Sequence, residues 1–284
     1  MHGKKMQPYL YLIPVIIVFS VLVAYPMFTV VRYSLLDNVI VTPTSNFVGI
    51  GHYRAILGSA KFWKAMGNSV YFSIVSLIFH LALGMTFALL LNSELVNKRF
   101  RGFCRALYIL PWTFTVSIVA ILWRLMLNNS GIVNELFNLT VDWFGSRDTA
   151  VHAVIFVNVW CSYPFYMISI LAGLQGVSKS FYEAAKIDGA SGIQCFRHIT
   201  LPQLKPVLIS LTLLDFIWSM QQLSLTWITT GGGPAGASAT LGTFTYELAF
   251  KAYKFSRASA SAVIIMVVCL VVAVFYVKQQ AERD

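Results

Sequence analysis

Six long apolar runs constrain the fold of this chain more than any other feature. We place them at residues 9–32, 68–92, 106–126, 150–174, 206–228 and 258–278. Each is long enough to cross a hydrocarbon core of about 30 Å as a helix, which takes about 20 residues. A helix also satisfies its own backbone hydrogen bonds, as lipid requires. The sequence therefore predicts an all-α integral membrane protein with six transmembrane helices.

Composition agrees with a membrane protein. Hydrophobic residues make up 57% of the chain and charged residues only 11%, whereas soluble domains carry about 25% charged residues. No small-residue cleavage site follows the first run, so we expect a span there and not a signal peptide. The net charge of +10 comes mainly from loop residues, which orient spans and meet anionic lipid. We therefore expect membrane lipid, and no nucleic acid, among its partners.

Basic residues also predict the orientation of the spans. Lys4 and Lys5 precede the first run, and the cluster at residues 97–105 (NKRFRGFCR) separates the second run from the third. The positive-inside rule places both segments in the cytoplasm. An even number of spans then places the N- and C-termini on the cytoplasmic side, together with the polar loop at residues 178–205.

That loop predicts two short helices between the fourth and fifth spans. Ser180 and Glu183 have the spacing of a capping box, which starts a helix. Gly189 can adopt the left-handed conformation that ends one. We expect the second helix at residues 191–198.

Two prolines set the expected end of this loop. Leu201-Pro202 should end the second short helix, because proline disfavours the helical conformation of the residue before it. Pro206 suits the first turn of a new helix, so we expect the fifth span to begin there.

The loop resembles the signature of bacterial ABC importer permeases of the binding-protein-dependent, carbohydrate-uptake class, such as the first membrane subunit of maltose and glycerol-phosphate transporters. The matching positions are Glu183, Ala184, Ala185, Asp188, Gly189, Ala190, Ile199, Leu201 and Pro202. The resemblance extends over most of the chain, from about Phe47 to Tyr276. It implies a single permease domain over residues 1–284, located in a bacterial-type inner membrane.

The same resemblance implies a function and a set of partners. The loop at 178–205 would be a cytoplasmic coupling helix that docks on an ATPase through Glu183, Ala184, Ala185, Asp188 and Gly189. Its partners would be a second homologous permease subunit, two ATPase subunits and an extracytoplasmic solute-binding protein, with a sugar-type substrate. ATP and Mg would bind to the ATPase, so we expect this chain to bind no cofactor and to be non-catalytic. It also lacks the G-x-x-x-x-G-K-[ST] motif of a phosphate loop.

Polar residues inside the spans predict a substrate path, because they are costly in lipid. In the fifth run they stand at i, i+3, i+4 and i+7, on one helix face: Asp215, Trp218, Ser219 and Gln222. The fourth run repeats this spacing with Asn158, Cys161, Ser162 and Phe165. Carboxylate, amide and hydroxyl groups can bond sugar hydroxyls, and an indole can stack on a sugar ring. Helix packing is the alternative explanation for both faces.

A second class of function uses the same residues. Asp215, with His80 in the second span, could act as a relay in a proton- or cation-coupled secondary transporter that needs no partner. An internal inverted repeat, which many such transporters contain, is not detectable. The five histidines and four cysteines show no metal-ligand spacing, so we expect no metal site.

Overall fold

The computed structural model describes residues 3–42, 44–93 and 97–281. Within these ranges the only strand-type pairing is one antiparallel bridge between Leu36 and Phe47. The α-helices in chain order are α1 Gly3–Phe19, α2 Tyr25–Ser34, α3 Gly51–Leu57, α4 Ala60–Asn92, α5 Lys98–Thr113, α6 Val116–Met126, α7 Ile132–Phe137, α8 Ala150–Gln175, α9 Lys179–Ile187, α10 Gly192–Cys195, α11 Leu201–Met220, α12 Ser224–Thr229, α13 Leu241–Tyr246 and α14 Phe255–Ala281. The all-α prediction is confirmed.

Helices long and apolar enough to cross a membrane occupy five of the six predicted places. They are Tyr11–Ser34, Ala60–Asn92, Ala150–Gln175, Gly192–Met220 and Phe255–Phe275. The third predicted span is a pair, Arg99–Thr113 and Val116–Met126, bent by 93°. Counted as one broken span, the pair completes the predicted six.

The bend in the third span lies after its proline. α5 continues through Pro111 to Thr113, and the extended residues Phe114 and Thr115 separate it from α6. The hydroxyl of Thr115 accepts a hydrogen bond from the backbone N–H of Ile118 at 3.4 Å. A threonine N-cap therefore starts a second helix here.

The fifth span begins earlier than predicted. A helix runs from Gly192 to Met220 and contains both Pro202 and Pro206, so neither proline marks a boundary. A π-helical turn, Phe196–Thr200, directly precedes the α-helix that contains them. Pro202 is the second residue of that α-helix, where a proline is tolerated, whereas Pro206 lies in its interior. The helix ends at Met220, and residues 221–223 separate it from α12, so the predicted span to 228 is also interrupted.

The predicted capping box at Ser180 is wrong. The extended residue before α9 is Ser178, so Ser180 already lies within the helix, and α9 has no side-chain cap. A capping box does form at the next helix, where Ser191 and Gln194 each bond the other's backbone N–H. The helix at 191–198 is therefore present, but it continues into the fifth span.

The chain divides into two compact units. One comprises the residues up to Trp63 with Phe244–Leu270, and the other comprises Lys64–Thr243 with the residues from Val271 onward. In the first unit, the backbone N–H of Val39 donates to Ser256 at 3.3 Å. The prediction of one permease domain over residues 1–284 stays a prediction.

In the second unit, α8 is the central helix. It contacts α5, α6, α11 and α12, and more than half of its apolar length is buried. Two glycines permit close helix packing: a Cβ on Gly84 of α4 would lie 2.6 Å from Cβ of Tyr166, and one on Gly173 of α8 would lie 2.8 Å from a methyl group of Leu204. α4 and α11 therefore both approach α8 closely.

Candidate functional site

One cavity in the second unit brings together all eight side chains predicted for the substrate path. Its volume is about 310 Å³, at the low end for small-molecule sites. The predicted residues that line it are Asn158, Cys161, Ser162, Phe165, Asp215, Trp218, Ser219 and Gln222. The residues selected by their spacing in the sequence therefore line one and the same cavity.

Helix α8 supplies four of these residues from one face. Asn158 is buried, with 6% of its surface exposed. Cys161 and Ser162 lie one turn further on, and the thiol is 3.5 Å from the Asn158 carbonyl oxygen and 3.6 Å from the Ser162 hydroxyl. The Cys161 thiol and the Ser162 hydroxyl therefore make contacts within α8, at the wall of the cavity.

The other four residues come from the end of the fifth span. Asp215, Trp218 and Ser219 lie on α11, whereas Gln222 follows the end of this helix. The Gln222 backbone N–H donates to the Ser219 carbonyl at 3.2 Å, and its carbonyl accepts from Thr240 at 3.0 Å. Gln222 thus lines the cavity from a fixed non-helical turn, and the prediction of one continuous helical face is wrong at this residue.

Asp215 is held by two side chains from other helices. Its Oδ1 is 3.0 Å from Nδ1 of His80 and accepts a hydrogen bond from the Tyr166 hydroxyl. All three residues are at least 97% buried, and the His80 and Tyr166 rings stack with centroids 4.7 Å apart. The other carboxylate oxygen, Oδ2, is buried and has no partner among the described residues. Oδ1 of the carboxylate is therefore hydrogen-bonded, whereas Oδ2 has no hydrogen-bond partner among the described residues.

Aromatic side chains form another part of the cavity wall. The ring centroid of Phe165 lies 5.3 Å from that of Trp218 and 5.8 Å from that of Trp112. Both tryptophans are about half exposed, at 49%, although they line the cavity. About half of the surface of each tryptophan is therefore left uncovered by the described chain.

Seven lining residues were not predicted for the path: His80, Pro111, Trp112, Phe114, Val116, Tyr166 and Gln221. Four of them flank the break between α5 and α6, whose position depends on backbone conformation and not on an apolar pattern. Tyr166 follows Ser162 by four positions and Asn158 by eight, so the helical spacing that predicted the face of α8 also includes it. None of the fifteen lining residues, all within the described ranges, is Lys or Arg.

The predicted coupling residues lie on and after α9. Glu183, Ala184 and Asp188 are exposed and Ala185 is partly buried. Gly189 has φ +77°, and its backbone N–H donates to the Lys186 carbonyl at 3.1 Å.

The next residue completes the end of this helix. The N–H of Ala190 donates to the Ala185 carbonyl at 2.8 Å. This pair of bonds with a left-handed glycine is a Schellman motif. Gly189 therefore ends α9 as predicted.

This loop also exposes three large apolar side chains. Phe181 is 52% exposed, Ile187 87% and Ile193 80%. On its inner side, the Tyr182 hydroxyl lies 2.9 Å from the Thr200 hydroxyl. Since Thr200 directly precedes α11, one hydrogen bond joins the loop to the helix that carries Asp215.

Comparison with known proteins identifies the family. Residues 58–283 match the model of the binding-protein-dependent transport system inner membrane component. This match covers most of the chain. The chain belongs to this family of inner-membrane permeases. The expected multi-pass inner-membrane location and the resemblance to ABC importer permeases are thereby confirmed.

Relatives of this permease match it over nearly its full length. It is 35% identical over 278 residues to the trehalose/maltose transport system permease protein MalF of Thermococcus litoralis, covering 95% of this chain and 92% of that protein. It is 31% identical to the probable ABC transporter permease protein YurN of Bacillus subtilis, covering 98% and 97%. It is 27% identical to the sulfoquinovosyl glycerol transport system permease protein SmoG of Agrobacterium fabrum, covering 99% and 92%.

A solved structure shares the fold of the permease. A chain of a bacterial ABC transporter that imports the acidic polysaccharide alginate superposes with a TM-score of 0.84, covering 98% of each chain at 24% identity. Within the described residues of our permease, no three or more His, Cys, Asp or Glu side chains are placed to hold a metal ion.

Proposed function

We propose that this permease forms half of the translocation path of an ATP-driven importer for a sugar or a related polyol or glycoside. The observation that carries the proposal is the cavity in which a buried carboxylate faces exposed tryptophan rings. Hydroxyl groups of a sugar can donate to a carboxylate, and an indole can pack on the apolar face of a sugar ring. Relatives whose names include trehalose, maltose and sulfoquinovosyl glycerol support this substrate class.

The loop at 178–205 would transmit ATP-driven motion to this cavity as a cytoplasmic coupling helix. Its exposed Phe181 and Ile187 provide an apolar surface for a partner. The small side chains of Ala184 and Ala185 allow close docking in a cleft of the ATPase. From Leu201 to Asp215, α11 spans roughly 20 Å, so it can act as a rigid lever between loop and cavity.

The assembly would contain a second homologous permease subunit, two ATPase subunits that bind ATP and Mg, and an extracytoplasmic solute-binding protein. This chain would itself be non-catalytic. Both of its termini would lie in the cytoplasm, on the same side as the coupling loop.

Replacing the cavity carboxylate tests the substrate path. We expect Asp215→Asn to raise the sugar concentration for half-maximal uptake about tenfold, because the loss of a charged acceptor weakens hydrogen bonds to the sugar. The measurement is ATP-driven uptake of labelled trehalose by the reconstituted complex. Asp148→Asn is the control, since Asp148 is exposed and lies outside the cavity. Equal uptake by both variants and the parent would exclude Asp215 from the path.

The buried His80–Asp215 pair supports one alternative, a proton- or cation-coupled secondary transporter. This function predicts that the chain alone, in liposomes without ATPase, accumulates sugar when an ion gradient is applied. The ATP-driven importer predicts no accumulation under that condition.

A further inference from the structure

An apolar groove lies between α4 and α8 in the second unit and shares no lining residue with the cavity around Asp215. Its volume is about 580 Å³. Large side chains at helical spacing form its two walls, with Val75, Phe79, Leu83 and Phe87 on α4 facing Phe156 and Trp160 on α8. None of its ten lining residues, all within the described ranges, is Asp, Glu, Lys or Arg. The groove is therefore apolar along both walls.

Contacts between α4 and α8 bound the groove at both ends. At one end the Tyr71 hydroxyl is 2.9 Å from Nε2 of His152. At the other end the ring centroids of Phe87 and Tyr163 are 5.4 Å apart. His152 and Tyr163 are eleven positions apart on α8, which corresponds to about 16 Å along a helix. This is close to half of a hydrocarbon core of about 30 Å, so the groove has the length of one lipid leaflet.

The groove is continuous with the exposed apolar surface of α4. This helix is long and apolar enough to cross a membrane, and its Ile74 and Ile78 are at least half exposed beside the groove. Within the groove, Phe79 and Phe156 are also about half exposed. Lipid that surrounds the span can therefore enter the groove from the side.

The side chains of the groove suit an acyl chain better than a helix. Helices in membranes approach one another through small residues. α4 shows this on its face towards α8, where Ser73, Ser76 and Gly84 are buried. None of the ten groove residues is Gly, Ala or Ser. The bulky side chains hold a partner helix at a distance, whereas a flexible chain can fill the space between them.

The Tyr71–His152 pair provides a hydrogen-bond acceptor at one end of the groove. Nδ1 of His152 is 2.8 Å from the Asp148 carbonyl oxygen, which only accepts, so Nδ1 donates. Nε2 and the Tyr71 hydroxyl share the other bond, and in either direction of this bond the hydroxyl oxygen keeps a lone pair that can accept. Tyr71 is also partly exposed. A lipid headgroup with N–H donors, such as ethanolamine, can bind there.

We propose that this groove binds one phospholipid, with an acyl chain between α4 and α8 and a hydrogen-bond-donating headgroup at the Tyr71 hydroxyl. An acyl chain gains little hydrophobic free energy by leaving the bilayer for the groove, because lipid tails are equally apolar. Retention therefore depends on van der Waals contact with the two walls and on the headgroup hydrogen bond. This lipid site is independent of the proposed sugar path and of the transported substrate.

Photo-crosslinking of the complete complex tests the proposal. The complex is reconstituted in nanodiscs that contain phosphatidylethanolamine with a diazirine in the middle of one acyl chain. It is then exchanged into unlabelled lipid and irradiated, and mass spectrometry identifies the crosslinked residues. Lipid that only surrounds the protein is lost on exchange, whereas bound lipid stays. Phosphatidylcholine with the same acyl chains is the second probe, since its headgroup has no N–H.

We expect ethanolamine-lipid crosslinks to Phe79 and Trp160 to survive the exchange, whereas those to Ile74 fall to background. Leu83→Trp fills the groove and should lower the surviving crosslinks at least about tenfold. Ile74→Trp is the matched control outside the groove and should leave them unchanged. Tyr71→Phe should lower retention of the ethanolamine lipid about fivefold and remove its advantage over the choline lipid, because the hydroxyl acceptor is lost.

Three results would overturn the proposal. Crosslinks that fade equally at Trp160 and Ile74 would show only ordinary bilayer lipid. Crosslinks at Ile74 but none in the groove, even before exchange, would show that a helix of a partner subunit fills it. Equal retention of the two lipids by the parent, or unchanged retention in Tyr71→Phe, would exclude the headgroup contact. Tyr71→Phe removes one exposed hydroxyl, so it keeps the test decisive if Leu83→Trp fails to assemble.

Discussion

At the scale of single residues, Gly84 sets how closely α4 packs against α8 beside the cavity. Gly84 lies one turn after His80 on α4, where an added Cβ would be 2.6 Å from Cβ of Tyr166 and 3.1 Å from the Met167 backbone nitrogen. Both contacts are much shorter than van der Waals distance and involve atoms that cannot rotate away. The absence of a side chain at Gly84 is therefore what allows His80 to stack on Tyr166.

We predict that Gly84→Ala destabilises the protein by about 1–3 kcal/mol, because overpacking forces the two helices apart. The matched control is Gly67→Ala on the same helix, where an added Cβ meets nothing within 4 Å. The control should be neutral or stabilising, since alanine favours a helix interior more than glycine does. Thermal unfolding of the detergent-solubilised protein measures both variants. An equal effect of the two substitutions would contradict the close approach at Gly84.

At the scale of elements, a side-chain hydrogen bond connects the loop at 178–205 to the start of α11. The Tyr182–Thr200 hydrogen bond is the side-chain link from α9 to the residue before α11. The Schellman motif at Gly189 holds the other end of α9. Motion of α9 can therefore reach α11 through a defined contact.

We predict that Tyr182→Phe raises the number of ATP molecules hydrolysed per sugar imported about two- to fivefold, because one neutral hydrogen bond contributes about 1 kcal/mol. Thr200→Val removes the same bond from the other side, together with the 3.4 Å bond from the Thr200 hydroxyl to the Cys195 carbonyl, and should have at least the same effect. The double variant should be no worse than Thr200→Val, which a double-mutant cycle measures. Additive effects would show that the two hydroxyls act separately.

Sequence patterns anticipated the elements better than their boundaries. Apolar runs located the spans because lipid imposes length and composition. The first turn of α9 was misplaced, since the backbone of Ser178, and not the side chain of Ser180, sets the helix start. Pro206 was misread as a helix start, because proline suits a first helical turn, whereas here it lies inside α11, which begins at Leu201.

The same limit applies at the candidate site. Helical spacing identified seven of the eight predicted side chains correctly as faces of α8 and α11, whereas Gln222 reaches the same cavity from the turn after α11. The Asp215 carboxylate, however, is completed by His80 and Tyr166, which are distant in sequence. Their convergence depends on the packing of α4 and α11 against α8, which no local pattern encodes.

At the scale of the whole molecule, the permease has two separate candidate sites. One is the cavity lined by Asp215 and the two tryptophans, and the other is the set of exposed apolar side chains in the loop at 178–205. The family to which the chain belongs is a component of a larger transport system. We therefore expect neither surface to work without partner subunits.

The measurement that tests this account most directly is purification of the tagged chain in mild detergent, with mass spectrometry of the proteins that accompany it. The account predicts recovery of an ATPase and a second permease. It also predicts that Gly189→Asp loses the ATPase alone, because aspartate at φ +77° is strained relative to glycine and places a negative charge at the C-terminal end of α9. Gly192→Asp is the control, since Gly192 starts α10 with open space around it. A chain that purifies alone, yet accumulates sugar in liposomes under an ion gradient, would contradict the account.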